Sequence, residues 1–159
     1  MANRIVTFGY EGLSLDVFIA RLRAAGVETV IDVRANPLSR KHGFSKRGLA
    51  AALNEAGLAY VHTPVMGCPK QIRDRYKQDG NWSAYTRSFL AYLQGQAQSI
   101  TALAESAKAS LSCLICFEAD FERCHRTFVA RAVAADAGLR VTHLTDRKEI
   151  PDAAVRSTA

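Results

Sequence analysis

The segment CFEADFERCHR, residues 116–126, concentrates the side chains of this chain that could do chemistry. It holds two cysteines, three acidic residues, one histidine and two arginines, and it lies between an apolar run and a helical pattern. Such side chains can attack a substrate, transfer protons, bind an anion or hold a metal ion. Which of these roles is open depends on the elements that position them.

Cys124 is the candidate nucleophile of this segment. Its place at the first turn of a helix puts it among free N–H groups and at the positive end of the helix dipole, which favours a thiolate. Arg123, His125 and Arg126 add positive charge, so a nucleophilic or redox role is chemically reasonable. The alternatives are packing beneath the sheet edge, or lining a polar site without taking part in catalysis.

Arg126 is the strongest candidate for ligand binding. It can aim its guanidinium fork at a phosphate or carboxylate that the helix N-terminus already favours. Glu118 is interpreted as a general base, a ribose-hydroxyl acceptor or an ion-pair partner of Arg34 or Arg126. His125 can transfer protons near neutral pH, or pair with an anion in solvent.

The cysteines give only a weak metal signal. Cys113 and Cys116 are spaced as CxxC, but successive side chains of a strand alternate, so the two point to opposite faces and we predict that Cys113 is core. Cys116, Cys124, His125 and His62 could supply soft ligands, yet the spacing C-x7-C-H matches no common zinc pattern. No metal ligand is therefore assigned, and any cofactor is left open.

Strands and helices alternate along the whole chain. Short β-rich runs predict strands at Arg4 to Phe8, Glu28 to Val33, Leu58 to His62, Leu111 to Phe117 and Arg140 to Leu144. Helical patterns begin at Ser14, at Ser45, near Trp82 and near Cys124, and Gly95 predicts a kink or a break. The expected fold is α/β, a three-layer, mostly parallel, doubly wound (Rossmann-like) sheet of about five strands. We expect a single α/β domain over residues 1–159, with a frayed tail from about residue 150.

In such a sheet, ligands bind beyond the carboxyl ends of the strands. The residues that follow the strands are polar, and we predict that they form the site: Gly9, Tyr10, Glu11, Asp32, Arg34, His62, Cys116, Glu118, Cys124, His125 and Arg126. Asp32 is either a catalytic carboxylate or the fixed partner of Arg34. Tyr10 and Glu11 are expected to line the site, because their flanking glycines permit close approach of the backbone.

A basic loop follows the second predicted strand. Residues 34–47, RANPLSRKHGFSKR, hold five Lys or Arg and no acidic residue. Such a loop is either a solvated rim or an attractor of nucleotide and nucleic-acid phosphates, in which case Phe44 could stack on a base. Residues 70–77, KQIRDRYK, add a second basic stretch.

Composition limits the class of protein. The net charge of +6 and the pI of about 9.4 favour anionic partners, either a small phosphate-bearing or nucleotide-like molecule or a nucleic acid. No apolar run of membrane-spanning length and no signal-peptide pattern is present, so we expect no membrane partner and a cytoplasmic location, where the four cysteines stay thiols. The GxGxxG, Walker and GxSxG motifs are absent from the sequence.

Four segments together resemble the domain of unknown function 488 family of bacterial and archaeal proteins: TFGYEGLSLDVF, IDVRANPLSRKHGFSK, YVHTP and CFEADFERCHR. The resemblance runs from about Ile5 to Leu144 and implies an intracellular α/β domain, without an agreed reaction. It adds Asn36, Pro37 and Ser39 to the expected site, where Pro37 is also explained as a residue that sets the turn.

Two hypotheses of different class follow. The preferred one is an enzyme acting on a phosphorylated or nucleotide-like ligand, with Arg126 and Arg34 holding the anion and Glu118, His125 or Cys124 carrying the chemistry; Asp32 is the further catalytic candidate. The alternative is a nucleic-acid-binding accessory protein that uses its basic loops. Thiol-redox or metal chemistry at Cys116 and Cys124 is the third option. The oligomeric state is not indicated by the sequence.

Overall fold

The computed structural model describes residues 2–153 and contains one six-stranded sheet covered by helices on both faces. The strands are β1 (Arg4–Gly9), β2 (Thr29–Asp32), β3 (Ala59–His62), β4 (Ser112–Cys116), β5 (Arg140–Leu144) and β6 (Glu149–Pro151). The helices are α1 (Leu15–Ala24), α2 (Lys46–Glu55), α3 (Lys70–Asp79), α4 (Trp82–Gln94), α5 (Ala97–Ala109) and α6 (His125–Ala137). The predicted fold class is confirmed, and the five predicted strands are present.

The strand order is β3-β2-β4-β1-β5-β6. All pairings among β1 to β5 are parallel, and β6 alone runs antiparallel, against β5. Because β4 lies between β1 and β2, with Gly9 in register with Cys116 and Asp32 with Ile115, the carboxyl ends of these three strands lie side by side. The sheet therefore brings the predicted site residues of three separate chain segments to one edge.

Two hydrophobic cores separate the sheet from its helices. On one face, β1, β2 and β4 pack against α1 and α2 through buried residues such as Phe18 and Leu53. On the other face the sheet packs against α4, α5 and α6 through Phe89, Leu103 and Val129. Cys113 belongs to the first core and is fully buried, so the prediction that it is a core residue is confirmed.

The starts and ends of helices follow local sequence signals. The Ser14 hydroxyl accepts a hydrogen bond from the Val17 N–H and caps α1. The long helical pattern is broken near Gly95, as predicted, because α4 ends at Gln94 and α5 begins at Ala97. Helix α3 was not predicted: it has no fully buried residue, so it carries little of the apolar periodicity that reveals a helix.

The end of the chain differs from expectation. Part of the segment predicted to be frayed from about residue 150 forms β6, and the Asp152 side chain after it is buried. The remainder of that predicted tail, residues 154–159, lies outside the described residues. Within residues 2–153 none of the helices combines the length and the apolar character that crossing a bilayer requires.

Candidate functional site

A cavity of about 530 Å³ opens at the carboxyl edge of the sheet, where β4 leads into α6. Of the predicted site residues, it brings together Tyr10, Arg34, Asn36, Ser39, Cys116, Glu118, Cys124 and His125. Gly9, Glu11, Asp32, His62, Phe44 and Arg126 are not part of its lining. The cavity thus joins residues that follow three different strands, β1, β2 and β4.

Cys116 and Cys124 meet beside Glu118 in this cavity. Cys116 is the last residue of β4, and Cys124 is the N-cap of α6, with extended backbone before the first helical turn. The Glu118 carboxylate lies 3.6 Å from the Cys116 sulfur and 4.0 Å from the Cys124 sulfur. Both cysteines are free thiols, and they lose nearly all of their solvent contact in the fold.

Arg126 lies behind the two cysteines, not at the cavity surface. Its side chain is fully buried, and its Nη1 donates to the Cys116 sulfur at 3.1 Å and to the Glu118 carbonyl oxygen at 2.6 Å. Its Nε and Nη2 have no hydrogen-bond partner within the described chain. The prediction that Arg126 grips a ligand at the helix N-terminus is therefore not supported, because the guanidinium is enclosed and turned toward the thiols.

The pKa values of the two thiols shift in opposite directions. Burial acts to raise the pKa of Cys124, but a hydrogen bond from Cys116 and the charge of Arg126 outweigh it, so this pKa lies below its ordinary value. Burial and the neighbouring Cys124 raise the pKa of Cys116 well above its ordinary value. Of the two thiols, Cys124 is therefore the one that loses its proton first, and its sulfur also faces the N–H groups of α6.

His125 is oriented by a backbone carbonyl. Its Nε2 lies 2.8 Å from the carbonyl oxygen of Val33, which can only accept a hydrogen bond. In the neutral ring the proton is therefore on Nε2, and Nδ1 is left as an acceptor that faces the Cys124 sulfur at 3.9 Å. His125 can in this way receive a proton from the thiol or from a group bound next to it.

Asp32 and Arg34 form an enclosed ion pair at the end of β2. The guanidinium donates to both oxygens of the fully buried carboxylate, at 2.9 and 2.7 Å, and Tyr60 donates to it at 2.5 Å. Nη1 of Arg34 is engaged by the Phe44 carbonyl at 2.6 Å and by Tyr10 Oη at 3.1 Å. These contacts favour the structural interpretation of Asp32 over the catalytic one, and they leave little of the Arg34 fork for a ligand.

Phe44 does not support the prediction that it stacks on a base. Its ring is fully buried and stacks on Tyr10, with ring centroids 4.3 Å apart. The ring is buried although the loop that carries it is basic, and the sequence pattern does not indicate this burial. His62 likewise turns away from the cavity, since its Nε2 lies 2.8 Å from the Arg34 carbonyl oxygen.

Gly9 and Glu11 shape the site from outside the cavity. A Cβ atom at Gly9 would overlap the carbonyl oxygen of Glu118, so only glycine allows β1 to approach the loop after β4. The Glu11 carboxylate accepts a hydrogen bond from the Ala119 N–H at 3.0 Å. Both residues therefore position the loop that carries Glu118, and they line a second cavity of about 520 Å³ on the other side of that loop's start, not the one that contains Cys124.

The rest of the cavity lining comes from residues that the site prediction had not included. Its side chains are basic or aromatic: Arg73 and Tyr76 and Lys77 of α3, Trp82 and Tyr85 of α4, with Arg40, Phe117 and Arg123 from loops. Counting Arg34, the charged lining comprises five cations and the single carboxylate of Glu118. The sequence feature that could have indicated these residues is the basic stretch KQIRDRYK. It reaches the cavity because it forms α3, a helix that was not predicted.

The described residues contain one group of side chains with metal-ligand spacing. The ligand atoms of Cys116, Glu118 and Cys124 lie within 4.8 Å of one another, whereas His62 and His125 engage backbone carbonyls. The buried guanidinium of Arg126 already supplies positive charge to these sulfurs, which works against a second cation there. The surroundings suit an anionic sulfur in a positive setting better than a metal ion.

Comparison with known proteins gives one match. A family model described as "Domain of unknown function DUF488" matches residues 14–133, which is more than half of the chain. Neither a curated protein nor a solved structure matches the chain.

Proposed function

We propose that this chain, which belongs to the DUF488 family, is an enzyme that uses Cys124 as a nucleophile on a phosphorylated or nucleotide-like ligand. One observation carries the proposal: a thiol at the N-cap of α6 lines a cavity and lies beside a buried, incompletely paired guanidinium.

The charge of Arg126 makes a thiolate the natural state of the pair. A fully buried guanidinium without a compensating anion is strongly unfavourable. Within the described chain its side-chain partner is Cys116, and Cys116 is in turn coupled to Cys124. A negative charge on Cys124, stabilised by Cys116 and by the helix N-terminus, would compensate the charge of Arg126.

The cavity lining supports an anionic ligand with a planar group. Among residues 2–153, Arg40, Arg73, Lys77 and Arg123 make no ion pair, so their charge remains available for a phosphate group. Tyr76 and Trp82 also line the cavity, so aromatic surface adjoins these basic side chains. A phosphorylated molecule with an aromatic or heterocyclic part fits these side chains.

The chemical roles follow from the same geometry. The Cys124 thiolate attacks an electrophilic centre of the bound ligand and forms a covalent adduct. Nδ1 of His125 and the Glu118 carboxylate, both within 4.0 Å of that sulfur, serve to accept or return protons. Arg126 acts from behind, since it stabilises the thiolate without touching the ligand.

The test begins with the ionisation of Cys124. We expect a thiolate ultraviolet absorbance at neutral pH that Cys124→Ala removes and Cys68→Ala keeps, because burial raises the pKa of Cys68 in the same cavity. The groups that face Cys124 are Cys116, Glu118, His125, Arg126 and Tyr85. Equal thiolate signals in wild type and Cys124→Ala would contradict the proposal.

The ligand class is tested separately by protection from alkylation. Iodoacetamide is small enough to enter the cavity, and a bound phosphorylated ligand should slow its reaction with Cys124. A ligand at about 100 times its dissociation constant should also stabilise the fold by about 2.7 kcal/mol in a thermal-shift panel of nucleotides and phosphosugars. If no member of the panel protects Cys124, the ligand class is wrong.

Nucleic-acid binding is the second candidate. Arg40 is exposed in the loop before α2, and Lys46 and Arg47 are exposed in the first turn of that helix. Within the described part of the chain these three residues make no ion pair. Phe44, the residue that was predicted to stack on a base, is buried, and this weakens the case for nucleic-acid binding. Stabilisation by oligonucleotides but by none of the small ligands in the same panel would favour it.

A further inference from the structure

The Cys116 and Cys124 sulfurs are close enough to react with one another. The two sulfurs and a Glu118 oxygen all lie within 4.8 Å of each other, and both cysteines line the open cavity. Any oxygen adduct formed on the Cys124 sulfur would therefore have a second thiol beside it. Redox-active cysteines combine these two features, a nucleophilic sulfur reachable by small molecules and a neighbouring resolving thiol.

We propose that Cys116 and Cys124 form a reversible dithiol–disulfide pair that reduces a small hydroperoxide in the cavity, with Cys124 attacking and Cys116 resolving. The activity is distinct from action on a phosphorylated ligand, but it rests on the proposed function in one respect, because both require a reactive Cys124.

The first step consumes the peroxide. The Cys124 thiolate attacks the terminal peroxide oxygen, the S–O bond forms, and the O–O bond breaks. The leaving alkoxide takes up a proton from solvent and departs as an alcohol, or as water when the substrate is hydrogen peroxide. Cys124 is then a sulfenic acid, oxidised by the two electrons that the peroxide has gained.

The second step forms the disulfide. The Cys116 sulfur attacks the Cys124 sulfur, the S–S bond forms, and the S–O bond breaks, so that the hydroxyl leaves as water. The proton for this water comes from the Cys116 thiol, and the Glu118 carboxylate at 3.6 Å from that sulfur is placed to carry it. Two molecules of an external thiol such as glutathione then return the pair to the dithiol and are themselves oxidised to one disulfide.

Arg126 makes the disulfide easy to reduce. A thiolate in the reduced pair lies beside the buried guanidinium, whereas the disulfide is neutral and removes the anion that is closest to that charge. A disulfide whose reduced form is stabilised in this way is a strong oxidant. We therefore expect the pair to cycle with an external thiol, and not to persist as a structural crosslink.

The experiment treats the folded protein with one equivalent of hydrogen peroxide, followed by peptide mass spectrometry without reductant. We expect a Cys116–Cys124 disulfide that glutathione reverses. Cys116→Ser should stop at a sulfenic acid on Cys124 that dimedone traps, and Cys68→Ala, altered in the same cavity, should still form the disulfide.

The wild-type protein alone can overturn the proposal, whatever the variants do. Progression of Cys124 to sulfinic acid without a disulfide would exclude Cys116 as a resolving thiol, and so would a crosslink from Cys124 to Cys68. Either result with an intact Cys124 thiolate signal would leave the proposed function standing. Loss of that signal would remove both proposals together.

Discussion

Arg126 influences the ionisation of Cys124 from a buried position behind the cavity. Its guanidinium is fully buried, and only Nη1 has hydrogen-bond partners within residues 2–153. Its positive charge lowers the pKa of Cys124, against the effect of burial. Removing this charge should therefore change the ionisation of the thiol more than it changes the shape of the cavity.

The variant Arg126→Met tests this at the residue scale. Met fills a similar volume without charge, so we expect the neutral-pH thiolate absorbance of Cys124 to disappear as its pKa rises. Loss of the hydrogen bond to the Glu118 carbonyl should cost about 1–3 kcal/mol in the free energy of unfolding, measured by urea denaturation. Arg123→Met, three residues earlier in the chain and exposed, is the control and should retain the thiolate.

Side-chain direction limited what the sequence could predict about the site. The positions of Cys116, Glu118 and Cys124 at the edge of the sheet follow from strand ends and helix starts, and the structure places all three in the cavity. The burial of Arg126 and Phe44 does not follow, because residue type suggests exposure for an arginine, and for an aromatic residue in a basic loop. Three-dimensional packing decides both.

At the scale of elements, the end of β1 and the loop after β4 are held in close contact. The Tyr10 N–H donates to the Cys116 carbonyl at 3.1 Å, and the Glu11 N–H donates to the Phe117 carbonyl at 2.8 Å. Gly9 makes this approach possible, since any Cβ there would meet the carbonyl of Glu118. That same carbonyl anchors Arg126, so backbone packing and thiol chemistry are linked.

The variant Gly9→Ala should therefore affect both. We expect a loss of about 0.5–3 kcal/mol in the free energy of unfolding, because the loop must move, together with a weaker thiolate absorbance as Arg126 loses its anchor. Gly48→Ala is the matched control. Gly48 lies in α2 with no atom closer than 3.9 Å to an added Cβ, so this change should leave the thiolate intact. A Gly9→Ala protein with an unaltered thiolate would show that the loop is not needed to hold Arg126.

The elements that escaped prediction share a physical property. Helix α3 has exposed polar faces, and β6 is only three residues long, so neither carries a repeated apolar pattern. Both are defined by what they contact: α3 borders the cavity, and β6 pairs with β5. The central strands and α1 were predictable because their own sequences contain the apolar residues that become buried.

Over the whole molecule, a buried polar chain ties the last described residues to the sheet. The Thr7 hydroxyl lies 2.6 Å from Nδ1 of His143, whose Nε2 lies 3.0 Å from Asp152, and Arg131 of α6 donates twice to that carboxylate. Burial lowers the pKa of His143, so the ring is neutral, donates to Asp152 and accepts from Thr7. Although burial opposes it, the hydrogen bonds from Arg131 and His143 lower the pKa of Asp152.

This network predicts how stability depends on pH. Both folded-state pKa values lie below the unfolded ones, so the unfolded chain binds more protons and stability falls as pH falls. The His143 contribution should fade below about pH 6.5 and the Asp152 contribution below about pH 4. The polar and charged groups that act on the His143 ring are Thr7, Asp152, Arg131 and Arg126.

Melting temperatures measured across this range provide the check. His143→Gln should lower stability at neutral pH and should flatten the decline between about pH 6.5 and pH 5, because the titrating ring is gone. The step attributed to Asp152 should remain in this variant. A wild-type decline that is unchanged in His143→Gln would assign the titration to another group.

The strand order has a consequence for how the chain assembles during synthesis. The N-terminal strand β1 is flanked by β4 and β5, which begin at Ser112 and Arg140. Both neighbours are therefore synthesised long after β1. Contacts between residues so far apart in sequence slow folding and leave strand edges exposed in the interim. The β1 run IVTF is thus a segment of the nascent chain that needs protection from aggregation.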